Sequence, residues 1–384
     1  MATLCTPRLL LVATRTRREL VYVEHLTLHN FRSYPALELE IPAGPVAFVG
    51  RNGQGKTNVV EAIDYLAHLG SHRVASDAPL VKSGSDQAIV RAAVIKEGRR
   101  AVLEVEINPG RANRAKINRA SLPRAREIIG LLRTVVFSPE DLALVKGDPS
   151  ERRRFVDDLL VLLSPRYAGT RSDYERVLKQ RNSLLKTARM TGRSVLDTLS
   201  VWDANLATLG TEMITRRIEL VEQLRPLVAT AYSAVARGAR EEDADIAYKS
   251  TVPEPTEEGF MAQIEARRRD ELDRGITLVG PHRDDVVLSL GDLPVKGYAS
   301  HGESWSFALA LRLAAYDVLR ADGDDPILIL DDVFAELDST RRDHLAKLVA
   351  TAEQVLVTAA VGDDVPELLA GARFEVAGGE VTRV

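Results

Sequence analysis

Gly50, Gly55, Lys56 and Thr57 stand at the spacing G-x-x-x-x-G-K-S/T inside VAFVGRNGQGKTNVVEAI, residues 46–63. An apolar run before the motif and a helix-like run after it supply the context that a phosphate-binding loop requires. Gly50, Gly53 and Gly55 let the main chain wrap phosphates closely, so that successive N–H groups and the next helix's N-terminus point at negative charge. Lys56 is placed against the β and γ phosphates. The Thr57 hydroxyl suits Mg²⁺, which takes an octahedral shell of hard oxygens shared with the phosphates. A second constellation lies near the other end of the chain, in ILILDDVFAELD, residues 327–338. Its four apolar residues predict a fully buried strand that ends in Asp331 and Asp332. Paired carboxylates there are costly without a cation. Asp331 is read as the metal-holding residue and Asp332 as the group that orients or deprotonates an attacking water, which gives ATP and Mg²⁺ as the expected cofactors.

The elements that must position these residues follow from periodicity. VYVEHLTL and ALELEIP alternate with period two and VAFVG is continuously apolar, so three strands precede the loop. Thr57 to Leu69 reads as a helix with Val59, Val60, Ile63, Leu66 and Ala67 on its inner face. DQAIVRAAVIKEG and RRAVLEVEINPG form a hairpin turning at Gly98-Arg99-Arg100. Thr134 to Phe137 is a strand, followed by a turn at Ser138-Pro139 and two short helices. Residues 150–240 predict two long antiparallel helices broken near Met190-Thr191-Gly192, with further helix from Val201 to Ala236. EEDADIAYKSTVPEPTEEG reads as an acidic surface connection. Strand signals return at residues 275–295, a helix runs from about Ser304 to Arg320, and QVLVTAA is a last buried strand. Nucleotide-type elements thus sit at both ends, with a helical insertion between them.

Composition bounds the rest. The chain has 384 residues, 45% hydrophobic and 28% charged, enough for roughly two or three domains. Its net charge of −4 gives no bulk attraction to nucleic acid, so any such contact must come from local patches. Cys5 is the single cysteine, which excludes a disulfide framework and fits a reducing cytoplasm. No apolar run of about 18 residues offers a membrane span. Residues 1–20 read as a poorly ordered extension, with Val21 as a candidate true start.

Loop, aspartate strand and insertion together resemble the SMC-like branch of the ABC ATPases, in which GxNGxGKTN is the typical loop. LTLHNFRSYPALELEIPAGPVAFVGRNGQGKTNVVEAIDYLAHLGSHR, VVFSPEDLALVKGDPSERRRFVDDLL, LVGPHRDDVVL and LILDDVFAELD narrow this to the RecF family of DNA replication and repair proteins, over residues 21–384. The resemblance implies an α/β fold: an ABC-type P-loop ATPase head, residues 21–145 and 275–384, with a helical arm at 146–274 forming a short antiparallel coiled coil. It implies a homodimer formed on ATP that binds double-stranded DNA or its junction with a single-stranded gap, and that acts with RecR and RecO-type mediators to load recombinase. ATP hydrolysis would be slow and serve as a switch. The resemblance extends nucleotide binding to Arg51, Asn52, Gln54 and Asn58, and to Arg32 and Ser33 on the adjoining strand edge. Each ATP would be sandwiched against the other head's signature motif, Ser300, Gly302 and Glu303, where Glu303 replaces the usual glutamine and an ordinary helix N-cap is the alternative reading of Ser300. Ala335, Glu336, Leu337 and Asp338 match the loop through which two heads meet.

Two positions depart from relatives. Thr358-Ala359-Ala360 stands where transporter-type ATPases carry a histidine, and Ser138 or Glu140 replaces a metal-contacting glutamine. A transporter subunit would also have a short insertion and a standard signature motif, whereas a nuclease would need a further acidic or histidine cluster; Pro281 to Asp285 is the candidate, but it fits the RecF pattern, which implies that it structures the head near the signature helix. DNA contact rests on charge: from Arg111 to Arg133 there are seven Lys or Arg and one Glu. Arg111, Arg114, Lys116 and Arg119, then Arg152, Arg153 and Arg154, then Arg171, Arg176, Lys179 and Arg181 on the arm are the expected phosphate contacts, with Arg73 as a phosphate or DNA sensor.

Overall fold

The computed structural model describes residues 20–191, 196–236, 243–323 and 325–384. Expectations for residues 1–19 and for the helix break at Gly192 lie outside them. The first layer is a six-stranded antiparallel sheet of order β2-β1-β4-β5-β6-β7, built from β1 Tyr22–Phe31, β2 Tyr34–Glu40, β4 Ala88–Lys96, β5 Arg99–Ile107, β6 Arg114–Ile117 and β7 Ala120–Ser121. The second has order β15-β14-β3-β13-β12-β8, with β3 Gly44–Val49, β8 Thr134–Phe137, β12 Ile327–Asp331, β13 Gln354–Ala359, β14 Ala372–Ala377 and β15 Glu380–Arg383. All of its pairings are parallel except the β14–β15 hairpin. Every residue of β12 and β13 is buried, the signature of a parallel sheet covered on both faces. The two-residue turn of the β4–β5 hairpin is Glu97-Gly98, both at positive φ, and not the Gly98-Arg99-Arg100 expected.

Helix α1, Lys56–His68, touches both sheets and is buried nearly all round rather than on one face. It therefore carries two carboxylates into the core, and each is paired, as buried charge demands. Glu61, fully buried, accepts two bonds from the Arg32 guanidinium at 2.8 and 2.6 Å and one from Ser71 Oγ at 2.5 Å. Asp64 accepts from Thr134 Oγ1 at 2.7 Å and lies 3.0 and 3.1 Å from the Nδ1 atoms of His68 and His72. Burial alone would raise the Asp64 pKa, but the two imidazoles hold it well below the usual range.

Helices α2 Leu142–Lys146 and α3 Pro149–Leu163 lead into the arm, where α4 Tyr167–Thr191 packs against α5 Leu196–Val235. Thr170 bonds Glu212 and Arg181 pairs with Asp203, so the two run antiparallel. Beyond the break the predicted second helix and the segment from Val201 to Ala236 are one helix of 40 residues. The expected acidic connection is instead β9 Ala244–Lys249, paired with β10 Asp285–Leu290, and the start of α6 Glu257–Arg274. Strand β11 Leu293–Pro294, the short α7 Val295–Tyr298, α8 His301–Ala321 and α9 Ser339–Val349 complete the chain.

The arm is pinned by buried ion pairs. Arg181, fully buried, donates to Asp203 at 2.6 Å, Glu271 at 2.6 Å and Thr277 Oγ1 at 2.8 Å, joining α4, α5 and α6. Arg268 also reaches Asp203, at 2.6 Å. Arg181→Met should therefore leave Glu271 as the uncompensated charge and cost about 3–5 kcal/mol. Urea unfolding of both proteins measures this, and a loss below about 1 kcal/mol would mean that the triad is not a structural clamp.

Candidate nucleotide site

Strands β3, β13 and β12 end side by side, and a parallel sheet gathers ligand-binding groups at those carboxyl ends. The loop after β3 begins at Gly50, where a Cβ would lie 2.1 Å from the Val376 carbonyl oxygen, so only glycine fits against β14. Gly55 caps α1 at φ 108°. Its carbonyl accepts from the Tyr34 hydroxyl at 3.2 Å, and a Cβ there would lie 2.7 Å from that hydroxyl oxygen. Gln54 Oε1 accepts from the Gly378 N–H at 2.7 Å, tying the loop to the turn after β14. Arg51, Asn52 and Gly53 are exposed at the loop's tip.

Lys56 is buried, with Nζ 3.4 Å from Asn52 Oδ1, 3.5 Å from the Arg51 carbonyl oxygen and 4.0 Å from Asp332 Oδ1. Thr57 Oγ1 donates to Asp331 Oδ1 at 2.9 Å, so residues 274 positions apart meet. The same carboxylate oxygen accepts from Thr358 Oγ1 at 2.6 Å, because Asp331 and Thr358 are register partners on neighbouring strands. Burial, then the adjacent Asp332 charge, raises the Asp331 pKa despite these hydroxyls. A carboxylate so placed gains by facing a cation. The donors are hard oxygens, which fits Mg²⁺; with no group of three His, Cys, Asp or Glu gathered among the described residues, the rest of a shell would come from phosphate and water.

Asp332 sits at φ 51°, its N–H donating to Thr358 Oγ1 at 2.9 Å. Thr358, read from sequence as a missing histidine, thus holds both aspartates. The signal for it is a polar residue beside the carboxyl end of a buried strand whose other polar residue, Gln354, lies at the opposite end. Glu61 was missed in the same way. Arg32 is engaged with Glu61 and, through Nη1, with the Pro79 carbonyl at 3.1 Å. Asn58 donates to Ser33 Oγ at 2.9 Å and accepts from Arg73 at 3.3 Å, so these three residues form one polar edge beside α1. Arg73 also lies 3.4 Å from Glu61, on the nucleotide side and not on a separate surface. Ser138, buried, is committed to a reciprocal cap with Asp141, while Glu140 is exposed.

Ser300 and Glu303 form a capping box at the start of α8: the Ser300 N–H donates to Glu303 Oε2 at 2.8 Å and the Glu303 N–H to Ser300 Oγ at 3.2 Å. Glu303 thus serves as the N3 partner of the cap, a role that glutamine fills as well. In the 335–338 loop Ala335, Glu336 and Asp338 are exposed, whereas Leu337 is buried and anchors it.

The basic footprints divide sharply. Arg152 is buried and bidentate to Asp285 at 2.8 and 2.9 Å, so it cannot serve as the phosphate contact expected from its charge. Arg181 fails for the same reason. Arg153 donates to the Asp284 carbonyl at 2.8 Å, and Lys116 pairs with Glu104 at 2.7 Å. Arg114, 78% exposed, and Arg119, in the turn between β6 and β7, remain open to solvent. The Pro281–Asp285 cluster is structural: Asp284 accepts from Tyr248, Ser250 and Thr251, and His282 Nδ1 lies 2.7 Å from the Tyr174 hydroxyl. Among the described residues no helix is long and apolar enough to cross a membrane.

Residues 22–367 match the RecF/RecN/SMC N terminal domain family. The chain is 61% identical to the DNA replication and repair protein RecF of Nocardioides sp., over 94% of this chain and 100% of that protein. It is 57% identical to the protein of the same name from Streptomyces avermitilis, over 95% and 100%. A solved structure described as the recombination mediator protein RecF-ATP in the RecFOR pathway superposes with a TM-score of 0.87 at 28% identity, covering 95% of this chain and 98% of that one. An Smc head domain from Pyrococcus furiosus shares the fold at a TM-score of 0.55 and 17% identity, over 95% and 96%. With the glycine loop and the aspartate strand meeting as described, the chain belongs to the RecF family of DNA replication and repair proteins, with the SMC-like ABC-type ATPase fold.

Proposed function

We propose that the protein is an ATP-gated, DNA-binding mediator of recombinational repair: it binds ATP with Mg²⁺, pairs with a second copy across the nucleotide, and acts on double-stranded DNA or gap junctions with RecR and RecO-type partners to help load recombinase. The observation that carries this is the meeting of Lys56, Thr57, Asp331, Asp332 and Thr358 at the ends of three neighbouring strands. Support for the pathway comes from the RecF relatives and from the RecF-ATP structure. Residues 50–58 cradle the phosphates, Lys56 neutralises them, and Thr57 and Asp331 hold the metal. The bound cation would supply charge neutralisation at the β and γ oxygens. Asp332 orients water, while the Thr358 hydroxyl fixes the Asp331 carboxylate and holds the Asp332 main chain. Residues 300–303 and 335–338 face the second copy, residues 146–274 form the arm, and Arg114 and Arg119 are DNA contacts. Hydrolysis is slow and resets the dimer.

Sedimentation of the protein with and without ATP–Mg²⁺ and a gapped duplex, at two salt concentrations, tests this reading. A dimer that needs ATP, and DNA binding that weakens with salt, are expected. An oligomer indifferent to nucleotide and to DNA would overturn it. Thr358→Val keeps the side-chain shape but removes the hydroxyl that serves both aspartates. It should lower the hydrolysis rate roughly 10-fold while ATP affinity changes less than about threefold, from the loss of one or two hydrogen bonds. Steady-state hydrolysis and titration with ATP separate the two effects.

A further inference from the structure

The start of α8 and the 335–338 loop, assigned above to contact with a second copy, are separated by more than thirty residues yet joined by one side chain. Arg341, in the first turn of α9, donates through Nε to Ser306 Oγ at 3.0 Å. Its Nη1 pairs with Asp338 Oδ2, and Asp338 Oδ1 accepts the Arg341 N–H at 2.9 Å. The guanidinium lies flat against Gly302: a Cβ there would sit 2.9 Å from Nη2, 3.2 Å from Nη1 and 3.3 Å from Cζ. Ser306 is fully buried one turn into α8, so the arginine is anchored to the core and braced on the loop at once. The next residue acts elsewhere. Arg342 donates to the Phe334 carbonyl at 2.9 Å and lies 3.7 Å from Asp364, holding the other end of the same loop.

We propose that Arg341 is a positioning residue acting in trans: it locks Ser300–Glu303 and Asp338 into one rigid surface that closes over the nucleotide held by a second copy of this chain. The inference rests on the ATP-dependent dimer proposed above. A planar fork suits this task, because its donors reach two acceptors in fixed directions, which the single point charge of lysine cannot do. A side chain at 302 would push the guanidinium aside, so glycine there leaves Arg341 its place against α8.

Mixed dimers test it. Arg341→Ala should bind ATP as a monomer with wild-type affinity, because its own loop and aspartates are intact, but should dimerise at least tenfold more weakly. Ser306→Ala, which keeps the charge and the fold, should show the same split with a smaller loss, and Arg341→Lys should not restore dimerisation. Arg341→Ala and Lys56→Ala are each expected to hydrolyse little ATP alone. Mixed, they form one composite site with an intact loop facing an intact signature surface, and hydrolysis should recover toward half the wild-type rate. No recovery, or a loss of ATP affinity in monomeric Arg341→Ala, would place the arginine in cis and overturn the inference. Wild-type dimerisation with both Arg341→Ala and Ser306→Ala unaffected would remove Arg341 alone. A wild type that stays monomeric with ATP would instead remove the dimer reading on which the proposal stands.

Discussion

Lys56→Ala is expected to lower ATP affinity by about 10²- to 10⁴-fold, the loss of two charge-assisted hydrogen bonds at about 1.5–3 kcal/mol each. The ammonium is buried at the floor of the loop, and its nearest carboxylate is Asp332 at 4.0 Å. Removing it leaves the phosphates facing Asp331 and Asp332 with one cation fewer, so binding weakens by repulsion as well as by lost attraction. Dimerisation on ATP and nucleotide-dependent DNA binding should vanish with it. Calorimetric titration with ATP–Mg²⁺ measures the first effect and sedimentation the second. An unchanged melting temperature would show that the loop and not the fold was lost, and affinity within threefold of wild type would remove Lys56 from the site.

Asp332→Asn should do the opposite to binding. The amide matches the carboxylate in shape, and asparagine tolerates the left-handed backbone at φ 51° as well as aspartate does, so the substitution isolates charge. Loss of a group that orients or accepts a proton from water should lower the hydrolysis rate by about 10²- to 10⁴-fold. ATP affinity should hold or rise, since one negative charge beside the terminal phosphate is gone. The dimer should persist on DNA after wild type has dissociated. Single-turnover hydrolysis and dissociation from a labelled gapped duplex report both, and equal hydrolysis in the two proteins would sink the assignment.

Much of this site was legible in the sequence because its parts are short and contiguous. The loop Gly50–Asn58 and the run Ile327–Asp332 each carry their own spacing, and a short β-branched apolar run closed by charges reads as a covered strand. The long-range partners were not. Nothing local announces that Glu61 meets Arg32 and Arg73, or that Thr358 sits in register with Asp331. Basic residues on helices read alike whether solvated or buried, so Arg152 and Arg181 were placed on the surface when the core needed their charge. Helix α6 was overlooked for the converse reason: it buries little beyond Phe260, Ile264 and Glu271, and its acidic, proline-flanked start resembles a connection. The β14–β15 hairpin also went unread, although the Gly50 turn depends on it.

The ion pairs along the arm also set where it can bend. Arg181 clamps three helices together well out along α4, and its partners are buried too, so flexing at that level would expose unpaired charge. Nearer the head, Arg217 grips Asp157 of α3 and the Pro281 carbonyl, and Arg152 grips Asp285. Arg217 and Arg152 thus fasten α5 to α3 and α3 to β10, so these helices are braced at two levels. Bending at either level would strand a buried charge, so motion of these helices relative to β10 is resisted at both.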